Sequence, residues 1–439
     1  MHSVPQRGLA SRVRTTGASG TPVYIILLGL GFLFLPFTKA LTVDVGFPLK
    51  IYEILFAATL PTFLLTRHPV NFSGKWPLLR PLIFAWFIAA GSFFAFSYAD
   101  VGYLGLDFRG GATLDGLARV GYLLLNLSIF AVIIGRPLLS ASSFLVNSWL
   151  IGCAISVSYS VYCVFSYLIF GEAFLLPGLE RHQPGMLGPL LVTRSGTFEE
   201  GNFGGLYFLV SAALALHLRR PIFAILAIVG LILTQSTAAY FGLIMLFGAY
   251  YLLAKRNLFA LIPYFTAACV AAFGLFVYFA EQGKFEATGS ASGAVRFNEA
   301  MTGINIWLTS PFYGVGLGQY GFHYFRNVWD MSLADAVTSE RHIAAIVYVE
   351  ILSELGILGL AAFGTFWLRW ARAIKAGRGN GNVIYASTFA ILVSFLAYPT
   401  FNIAFLWCYF GMALVLVHYN ADASRGAGIG SHQLRAGPN

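Results

Sequence analysis

The chain has 439 residues, of which 58% are apolar and 10% are charged, and its mean hydropathy is +0.75. A water-soluble globular chain usually carries about 25% charged residues, so this composition excludes one and indicates an integral membrane protein. At about 20 apolar residues per helical crossing, little sequence is left for a soluble catalytic or nucleic-acid-binding domain.

Apolar runs bounded by charged residues, proline or glycine predict twelve membrane-spanning helices in a single transmembrane domain over residues 22–418. The fold class that follows is an all-α polytopic membrane protein, with an N-terminal tail over 1–21 and a C-terminal tail over 419–439. In chain order the predicted spans are 22–40, 48–66, 81–98, 119–135, 144–170, 204–218, 221–235, 238–254, 258–280, 343–367, 383–399 and 402–418.

The basic residues are distributed unevenly between the two sides of these spans. With the N-terminus inside, the inner loops and tails contain 17 of the 27 basic residues and 1 of the 18 acidic residues, Asp422. Because cytoplasmic loops carry an excess of lysine and arginine, both termini are predicted to be cytoplasmic. This topology accounts for the formal net charge of +9, and no nucleic-acid partner is indicated.

The four cysteines predict neither a disulfide framework nor a metal site. Cys153, Cys163, Cys269 and Cys408 all lie inside apolar stretches, and their spacing is not that of metal ligands. We interpret them as packing residues, and we expect the protein to use no metal and no cofactor.

Three predicted outer loops are long, near 99–118, 171–203 and 281–342. Connections of this length in a compact protein are more often functional than short ones. All three lie on the side opposite the cytoplasm. Any chemistry is therefore predicted at the periplasmic or external face.

The second of these loops ends in a glycine-rich segment that contains Arg194, Glu199, Glu200 and Asn202. Glycines allow the backbone to approach a ligand closely, and the planar guanidinium group of arginine suits bidentate recognition of phosphate. The alternative is an ion pair of Arg194 with Glu199 or Glu200 in a solvated loop. The sequence leaves both interpretations open.

The third loop has helical apolar spacing over residues 295–308, which predicts a helix that begins at Arg296 and ends at Ser310 and the following proline. A run of alternating glycines comes next, at Gly314, Gly316 and Gly318. It follows no predicted strand, so a nucleotide-binding motif is not indicated. We expect a tight re-entrant turn there.

The third loop closes with a predicted helix start. Thr338 or Ser339 is a candidate N-cap, which places Glu340, Arg341 and His342 in the first turn of the tenth span. A helix N-terminus with an arginine beside it favours an anion. His342 is suited to take a proton near neutral pH, and the alternative is a surface histidine in a cap.

Two carboxylates follow inside the same predicted span. Glu350 and Glu354 are four residues apart and lie on one face of a helix. Carboxylates within a membrane span are costly, so each is a functional candidate. The alternative is that they are protonated or hydrogen-bonded between helices.

Three segments in this order resemble the O-antigen polymerase and ligase family, whose members move lipid-linked glycans at the outer face of the bacterial inner membrane. The first family pattern is Arg, a small residue, Gly, Thr, Phe, two further residues and Pro-Asn, and residues 194–202 (RSGTFEEGN) differ from it only at Gly201. The second, an Arg that opens a helix ending at Pro and Gly-Val-Gly, is matched by Arg296 and residues 311–316. The third, Tyr-Leu-Glu-Ile-Leu-x-Glu-Leu-Gly, is similar to residues 348–356 (YVEILSELG).

One position departs from the ligase-type pattern. Ala345 and Ile346 stand where that pattern has histidine and asparagine. His342 lies three residues earlier, close to one helical turn, so it is a candidate to serve instead. Alternatively, the chain lacks a histidine base.

The resemblance implies a GT-C-like fold with a multi-pass arrangement in the bacterial inner membrane and an active periplasmic face. It also implies metal-independent transfer of a glycan from undecaprenyl pyrophosphate to an acceptor sugar hydroxyl. The partners implied are the lipid-linked glycan donor, a glycan or lipid A core acceptor, and the lipid bilayer. Whether a chain-length regulator also takes part is left open.

The resemblance assigns roles to the candidate residues. The leaving pyrophosphate needs fixed cations, for which Arg194, Arg296 and Arg341 are the candidates. The candidate bases for the acceptor hydroxyl are His342 and Glu340. The remaining candidates are expected to bind substrate and are Arg109, Glu199, Glu200 and Asn202.

Three functions stay open on the sequence: a polymerase of O-antigen or exopolysaccharide repeat units, a ligase that attaches the chain to lipid A core, and a transporter of lipid-linked oligosaccharide. Ala345 in place of the ligase-type histidine favours the polymerase. A transporter would use Glu350 and Glu354 as a proton path. Because the candidate arginines cluster on one side of the membrane, the sequence favours an enzyme.

Overall fold

A computed structural model describes most of the chain. The described residues are 21–39, 42–44, 48–66, 72, 74–96, 111–135, 141–172, 175, 179, 184–187, 190–255, 287–333, 342–377 and 381–433. Arg109, Glu340, Arg341 and the predicted span 258–280 lie outside these residues.

Within the described ranges the structure consists of α-helices and two small hairpins. The helices are α1 (Val23–Phe34), α2 (Ile51–Leu65), α3 (Trp76–Phe96), α4 (Gly111–Gly135), α5 (Ser142–Phe170), α6 (Gly201–His217), α7 (Pro221–Leu233), α8 (Thr237–Lys255), α9 (Ala287–Thr309), α10 (Tyr320–Asn327), α11 (Val347–Ala376), α12 (Asn382–Ser394) and α13 (Ala404–Gln433). Short 3₁₀ turns cover Met331–Leu333 and Phe395–Ala397. The antiparallel hairpins pair β1 (Val43–Asp44) with β2 (Pro48–Leu49) and β3 (Pro184–Leu187) with β4 (Leu190–Thr193).

The helix positions agree with the predicted spans. Each of the eleven predicted spans on described residues overlaps one helix. Among the described residues, five segments are long and apolar enough to cross a membrane, and six further apolar helices are shorter. The five are Trp76–Phe94, Gly116–Gly135, Ser142–Phe170, Thr237–Ala254 and Val347–Ala376. A helical protein with several helices able to span a membrane is thus confirmed, whereas the twelve crossings, the location of the termini and the GT-C-like arrangement stay predictions.

Helix α6 lies at the centre of the packing and positions the second predicted outer loop. It is buried along most of its length, whereas outer residues such as Ile222 of α7 are mostly exposed. Small side chains let neighbours approach closely, and a Cβ on Gly205 would lie 2.7 Å from the Ala239 Cβ of α8. Trp149 of α5 stacks on Tyr207 of α6, with ring centroids 5.3 Å apart. The C-terminal end of the loop that precedes α6 is therefore held in place by the packing of this helix.

Helix α11 is interrupted at Gly356, whose φ of 67° and ψ of −170° are not helical. The loop after α9 packs against this interruption, where the Ile357 N–H donates to the Pro311 carbonyl oxygen at 2.9 Å. A Cβ at position 356 would lie 2.3 Å from the carbonyl carbon and oxygen of Phe312, so glycine is required there. The predicted span 343–367 therefore contains two helical segments rather than one.

The predicted tight turn at the alternating glycines is confirmed. The φ angles of Gly314, Gly316 and Gly318 are 68°, 106° and 81°, a region that favours glycine. The Gly316 N–H donates to the backbone carbonyl oxygen of Glu354 at 3.0 Å. The turn therefore holds α10 against the first half of α11.

The predicted helix in the third loop is confirmed over residues 295–308, and it ends before Ser310. The prediction that Arg296 begins it is wrong, because α9 starts at Ala287 and Arg296 lies within it. The small and polar residues before Arg296 lack the apolar period on which that prediction rests, yet helical hydrogen bonds need no apolar side chains.

The predicted start of the tenth span is also wrong. Helix α11 begins at Val347, with Ile346 in an extended conformation at the N-cap position. Neither Thr338 nor Ser339 is therefore its N-cap, and His342 is not in its first turn. The physical reason is the stacking of His342 on α10, described below, which holds this stretch in a non-helical path.

Candidate functional site

The segment of residues 194–202 is anchored at its centre. Thr197 Oγ1 donates to the Pro36 carbonyl oxygen at 2.8 Å. Phe198 is fully buried, and its ring centroid lies 5.4 Å from that of Tyr207. These contacts place the arginine before Thr197 and the polar residues after Phe198 in defined positions.

The start of α6 packs closely on the junction between α7 and α8. A Cβ on Gly201 would lie 2.9 Å from the Thr234 carbonyl oxygen and 3.0 Å from that of Arg194. A proline, the residue of the family pattern, has a Cβ and would not fit without a shift. Asn202 Oδ1 accepts a hydrogen bond from Ser236 Oγ at 2.9 Å. Asn202 therefore ties the start of α6 to this junction.

Arg194 packs directly on the hairpin of β3 and β4. Its Cγ and Cδ atoms lie 2.5 Å from the position that a Cβ on Gly185 would take. The Arg194 Nε atom is buried and, among the described residues, has no hydrogen-bond partner. Burial is the main cause that lowers the pKa of Arg194, and the charge of Arg296 lowers it further. Tyr240 and Glu200 act in the opposite direction and raise it. The guanidinium group thus keeps a donor available for an anion.

Arg296 reaches the same site from α9. Its Nη1 donates to the Ala397 carbonyl oxygen at 3.3 Å, in the turn after α12. The two predicted arginines are near enough for the charge of Arg296 to lower the pKa of Arg194. Neighbouring cations repel each other, so the pair favours an anion that binds both guanidinium groups.

The two glutamates beside Arg194 differ in their partners. Glu199 is mostly exposed, and its carboxylate lies 3.8 Å from the Lys50 Nζ atom. Glu200 contributes a negative charge near Arg194. The sequence left open an ion pair of Arg194 with either glutamate. In the structure Glu199 pairs with Lys50 instead of Arg194.

His342 precedes α11 and packs on α10. Its ring stacks on Tyr324, with centroids 3.8 Å apart and an interplanar angle of 6°, and it meets the edge of Phe325 at 5.1 Å. Ala345, the position of the ligase-type histidine, is buried. Because residues 342–346 are not helical, the argument that His342 and Ala345 share a helical face is wrong.

Glu350 and Glu354 are buried and accept hydrogen bonds from the backbone of other elements. Glu350 Oε2 accepts from the Phe401 N–H at 3.2 Å. The Glu354 carboxylate accepts from the Gly318 N–H at 2.8 Å and from the Tyr320 N–H at 3.1 Å. The alternative of hydrogen bonding between elements is therefore confirmed for both carboxylates.

Glu299 belongs to this site and was not identified from the sequence. It lies one helical turn after Arg296 in α9 and is partly buried. Burial raises the pKa of Glu299 to about 7, Arg296 opposes this shift, and Glu200 adds to it. The available signal was its i, i+3 spacing from Arg296, which places both side chains on one helix face.

The comparison with known families gives one match, which covers part of this candidate site. Residues 222–364 match a family described as O-Antigen ligase. This segment of the chain is thus similar to an O-antigen ligase domain. The domain runs from α7 into α11 and includes Arg296 and His342, whereas Arg194 precedes it. No curated protein matches the chain.

The O-antigen ligase domain confirms the resemblance to the O-antigen polymerase and ligase family. It supports a glycan-transfer function in O-antigen or polysaccharide assembly, with lipid-linked glycan substrates. Together with the apolar helices, it fits a multi-pass bacterial membrane protein.

In the described part of the chain, no group of three or more His, Cys, Asp or Glu side chains could hold a metal ion. Cys153, Cys163 and Cys408 are free and buried. Their burial fits the packing role predicted for them.

Proposed function

We propose that this protein is a glycosyltransferase that moves a glycan from undecaprenyl pyrophosphate to an acceptor sugar hydroxyl at the periplasmic face. The observation that carries the proposal is the pairing of Arg194 with Arg296, in which a buried donor of Arg194 has no partner among the described residues. The O-antigen ligase domain supports a lipid-linked glycan as the substrate.

The two arginines act on the leaving group. The acceptor oxygen forms a bond to the anomeric carbon of the donor sugar, and the bond from that carbon to the phosphate oxygen breaks. The lipid pyrophosphate leaves with the electron pair, and Arg194 and Arg296 stabilise its negative charge. Fixed donors of this kind contribute about 10²–10³ in rate each. The transfer is proposed to use no metal or other cofactor. Arg341 is proposed as a third cation.

The remaining sequence-based candidates keep their proposed roles. His342 and Glu340 are candidates to take the proton of the acceptor hydroxyl. Arg109, Glu199, Glu200 and Asn202 are proposed to bind the glycan parts of the substrates. A chain-length regulator is a further partner to be tested.

A polymerase of O-antigen or exopolysaccharide units is the favoured form of this activity, because a buried methyl group at Ala345 replaces the ligase-type histidine. A ligase that uses lipid A core as acceptor is the second candidate, favoured by the description of the matched domain. A transporter is less well supported, because Glu350 and Glu354 accept backbone hydrogen bonds and are engaged in the fold.

The test replaces Arg194, Arg296 and His342 singly with Ala in a strain that lacks the native chain. Arg326→Ala, an exposed arginine of α10, serves as the matched control. Membrane levels are measured first, and surface glycans and lipid-linked intermediates are then separated by size.

Accumulation of single lipid-linked repeat units would support the polymerase, and long lipid-linked chains that do not reach an acceptor would support the ligase. Normal glycans in all three variants would contradict the proposed site and favour the transporter.

A further inference from the structure

Glu299 differs from the other partly or fully buried carboxylates of the site region. Glu350 and Glu354 each accept backbone N–H groups. Among the described residues, no group donates a hydrogen bond to the Glu299 carboxylate, although burial acts on it. A carboxylate that is withdrawn from water without such partners is poised to bind a proton or a hydroxyl group.

The backbone around Glu299 is held rigidly by α10. The Tyr320 hydroxyl donates to the Glu299 carbonyl oxygen at 2.6 Å. The neighbouring Asn298 amide donates to the Tyr324 hydroxyl at 3.2 Å, and its Oδ1 accepts from the Asp330 N–H at 2.8 Å. The backbone position of Glu299, one helical turn after Arg296, is therefore fixed by contacts with α10 and with the segment that follows it.

The charged and titratable groups around Glu299 come from three elements. Arg296 lies on the same helix, one turn earlier, and Glu200 lies at the start of α6. From α10, Tyr320 and Tyr324 interact with the Glu299 charge.

Two further carboxylates on neighbouring elements are already engaged. Glu354 of α11 accepts two backbone hydrogen bonds, and the exposed Asp330 accepts hydrogen bonds from Ser332. Glu299 therefore stands between a cation and two tyrosines as the carboxylate left open to a ligand.

We propose that Glu299 is the general base of the transfer, which takes the proton of the acceptor hydroxyl while Arg194 and Arg296 hold the leaving pyrophosphate. The assignment rests on the proposed function. As the acceptor oxygen bonds to the anomeric carbon, its proton moves to a Glu299 carboxylate oxygen. The phosphate oxygen leaves with the electron pair, and the proton on Glu299 passes to water after the product leaves.

Three observations support Glu299 as the base. It shares a helix face with Arg296, which places a proton acceptor beside a phosphate-binding cation. It has no direct ion pair with Arg296, so its oxygens are not occupied by the guanidinium group. Burial raises its pKa to about 7, which matches a base that works near neutral pH. His342, by contrast, stacks on Tyr324 and meets the edge of Phe325.

The experiment uses the full chain, purified and placed in lipid nanodiscs. The donor is the lipid-linked glycan extracted from a strain that lacks this chain. The rate of transfer is measured against pH for the wild-type protein, Glu299→Gln, Glu299→Asp, His342→Gln and Arg194→Ala. Glu172→Gln, at an exposed glutamate after α5, is the matched control.

We expect Glu299→Gln to lower kcat about 100-fold or more, with little change in KM for the lipid-linked donor. The wild-type rate should rise with pH through about 7, as the carboxylate loses its proton, and Glu299→Gln should lose this rise. Glu299→Asp should recover part of both the rate and the rise. Glu172→Gln should behave as wild type.

The outcomes separate this assignment from the proposed function. If wild type and Glu299→Gln have the same rate and pH dependence, Glu299 is not the base, while the proposed function stands. Loss of the pH-dependent rise in His342→Gln, but not in Glu299→Gln, would also overturn the assignment. If Glu299→Gln does not fold, a flat wild-type pH profile overturns it. If wild type does not convert the extracted glycan, or if Arg194→Ala converts it normally, the proposed function itself fails and the assignment with it.

Discussion

Two groups of charged residues are withdrawn from water and differ in their hydrogen bonds: a first group, Glu350 and Glu354 of α11, which is buried, and a second group, Arg194 and Glu299, which is partly buried. Glu350 and Glu354 accept backbone hydrogen bonds from neighbouring elements. Arg194 Nε and the Glu299 carboxylate have no such partners among the described residues. Hydrogen bonds offset the cost of burial in the first group only. Burial alone therefore does not distinguish the two groups, whereas the presence of a hydrogen-bond partner does.

The largest expected effect is a loss of glycan transfer when Arg194, a member of the second group, is replaced. Replacing Arg194 with Lys should lower the rate of glycan transfer about 100-fold, because a single ammonium group cannot reproduce the planar fork that holds two phosphate oxygens. The measurement is conversion of lipid-linked glycan in membranes with equal amounts of protein. Arg326→Lys is the control and should retain its rate. A near-normal rate in Arg194→Lys would show that a point charge is sufficient.

The next largest expected effect is a loss of stability when Gly356, at the interruption of α11, is replaced. Gly356→Ala should lower the free energy of unfolding by about 3 kcal/mol, because a positive φ and a backbone contact both oppose a Cβ. The midpoint of thermal unfolding in detergent measures this loss. Gly364→Ala, in the same helix and with open space around its Cβ position, should be neutral or slightly stabilising. Equal midpoints for both variants would contradict the strained role of Gly356.

Removing a carboxylate from the first group should affect stability rather than chemistry. Glu354→Ala leaves the Gly318 and Tyr320 N–H groups without their acceptor, so we expect a loss of about 2 kcal/mol. Glu354→Gln keeps one acceptor oxygen and should lose less. The pH dependence of transfer should remain that of wild type in both variants. A Glu354→Ala protein that is stable but has no transfer activity would contradict this prediction and indicate that Glu354 acts in the transfer.

The smallest effect concerns His342. His342→Phe keeps the ring that stacks on Tyr324 and removes the titratable nitrogens, so we expect transfer to fall only a few-fold. His342→Ala also loses the ring contact, worth about 1 kcal/mol, and should lower the amount of folded protein. Protein level and transfer rate are measured together for both variants. Complete loss of transfer in His342→Phe would instead favour His342 as the base.

The sequence predicted the helices better than their ends and breaks. Long apolar runs indicate helices whatever their neighbours are, because hydropathy is a local property. Whether Gly356 continues or breaks a helix depends on the Pro311 and Phe312 backbone that packs against it. Likewise, the start of α11 at Val347 depends on the stacking of His342, which no local spacing indicates.

The site was predicted in part. Arg194 and Arg296 could be selected from the sequence because each lies in a recognisable pattern. Glu299 could not, since its isolation from hydrogen-bond donors is a property of three elements packed together. Glu199 was grouped with Arg194 by proximity in sequence, but its side chain pairs with Lys50.

By itself the sequence determined that this is a helical chain with several helices able to span a membrane, that it resembles the O-antigen polymerase and ligase family, and that its long predicted loops contain arginines. Composition, apolar runs and short motifs are sufficient for that. Only the tertiary structure decided which charges meet and which are satisfied. The electrostatic effect of Arg296 on Arg194 and the hydrogen bonds of Glu354 to the glycine turn join residues far apart in the chain. Helix packing rather than local sequence brings these residues together.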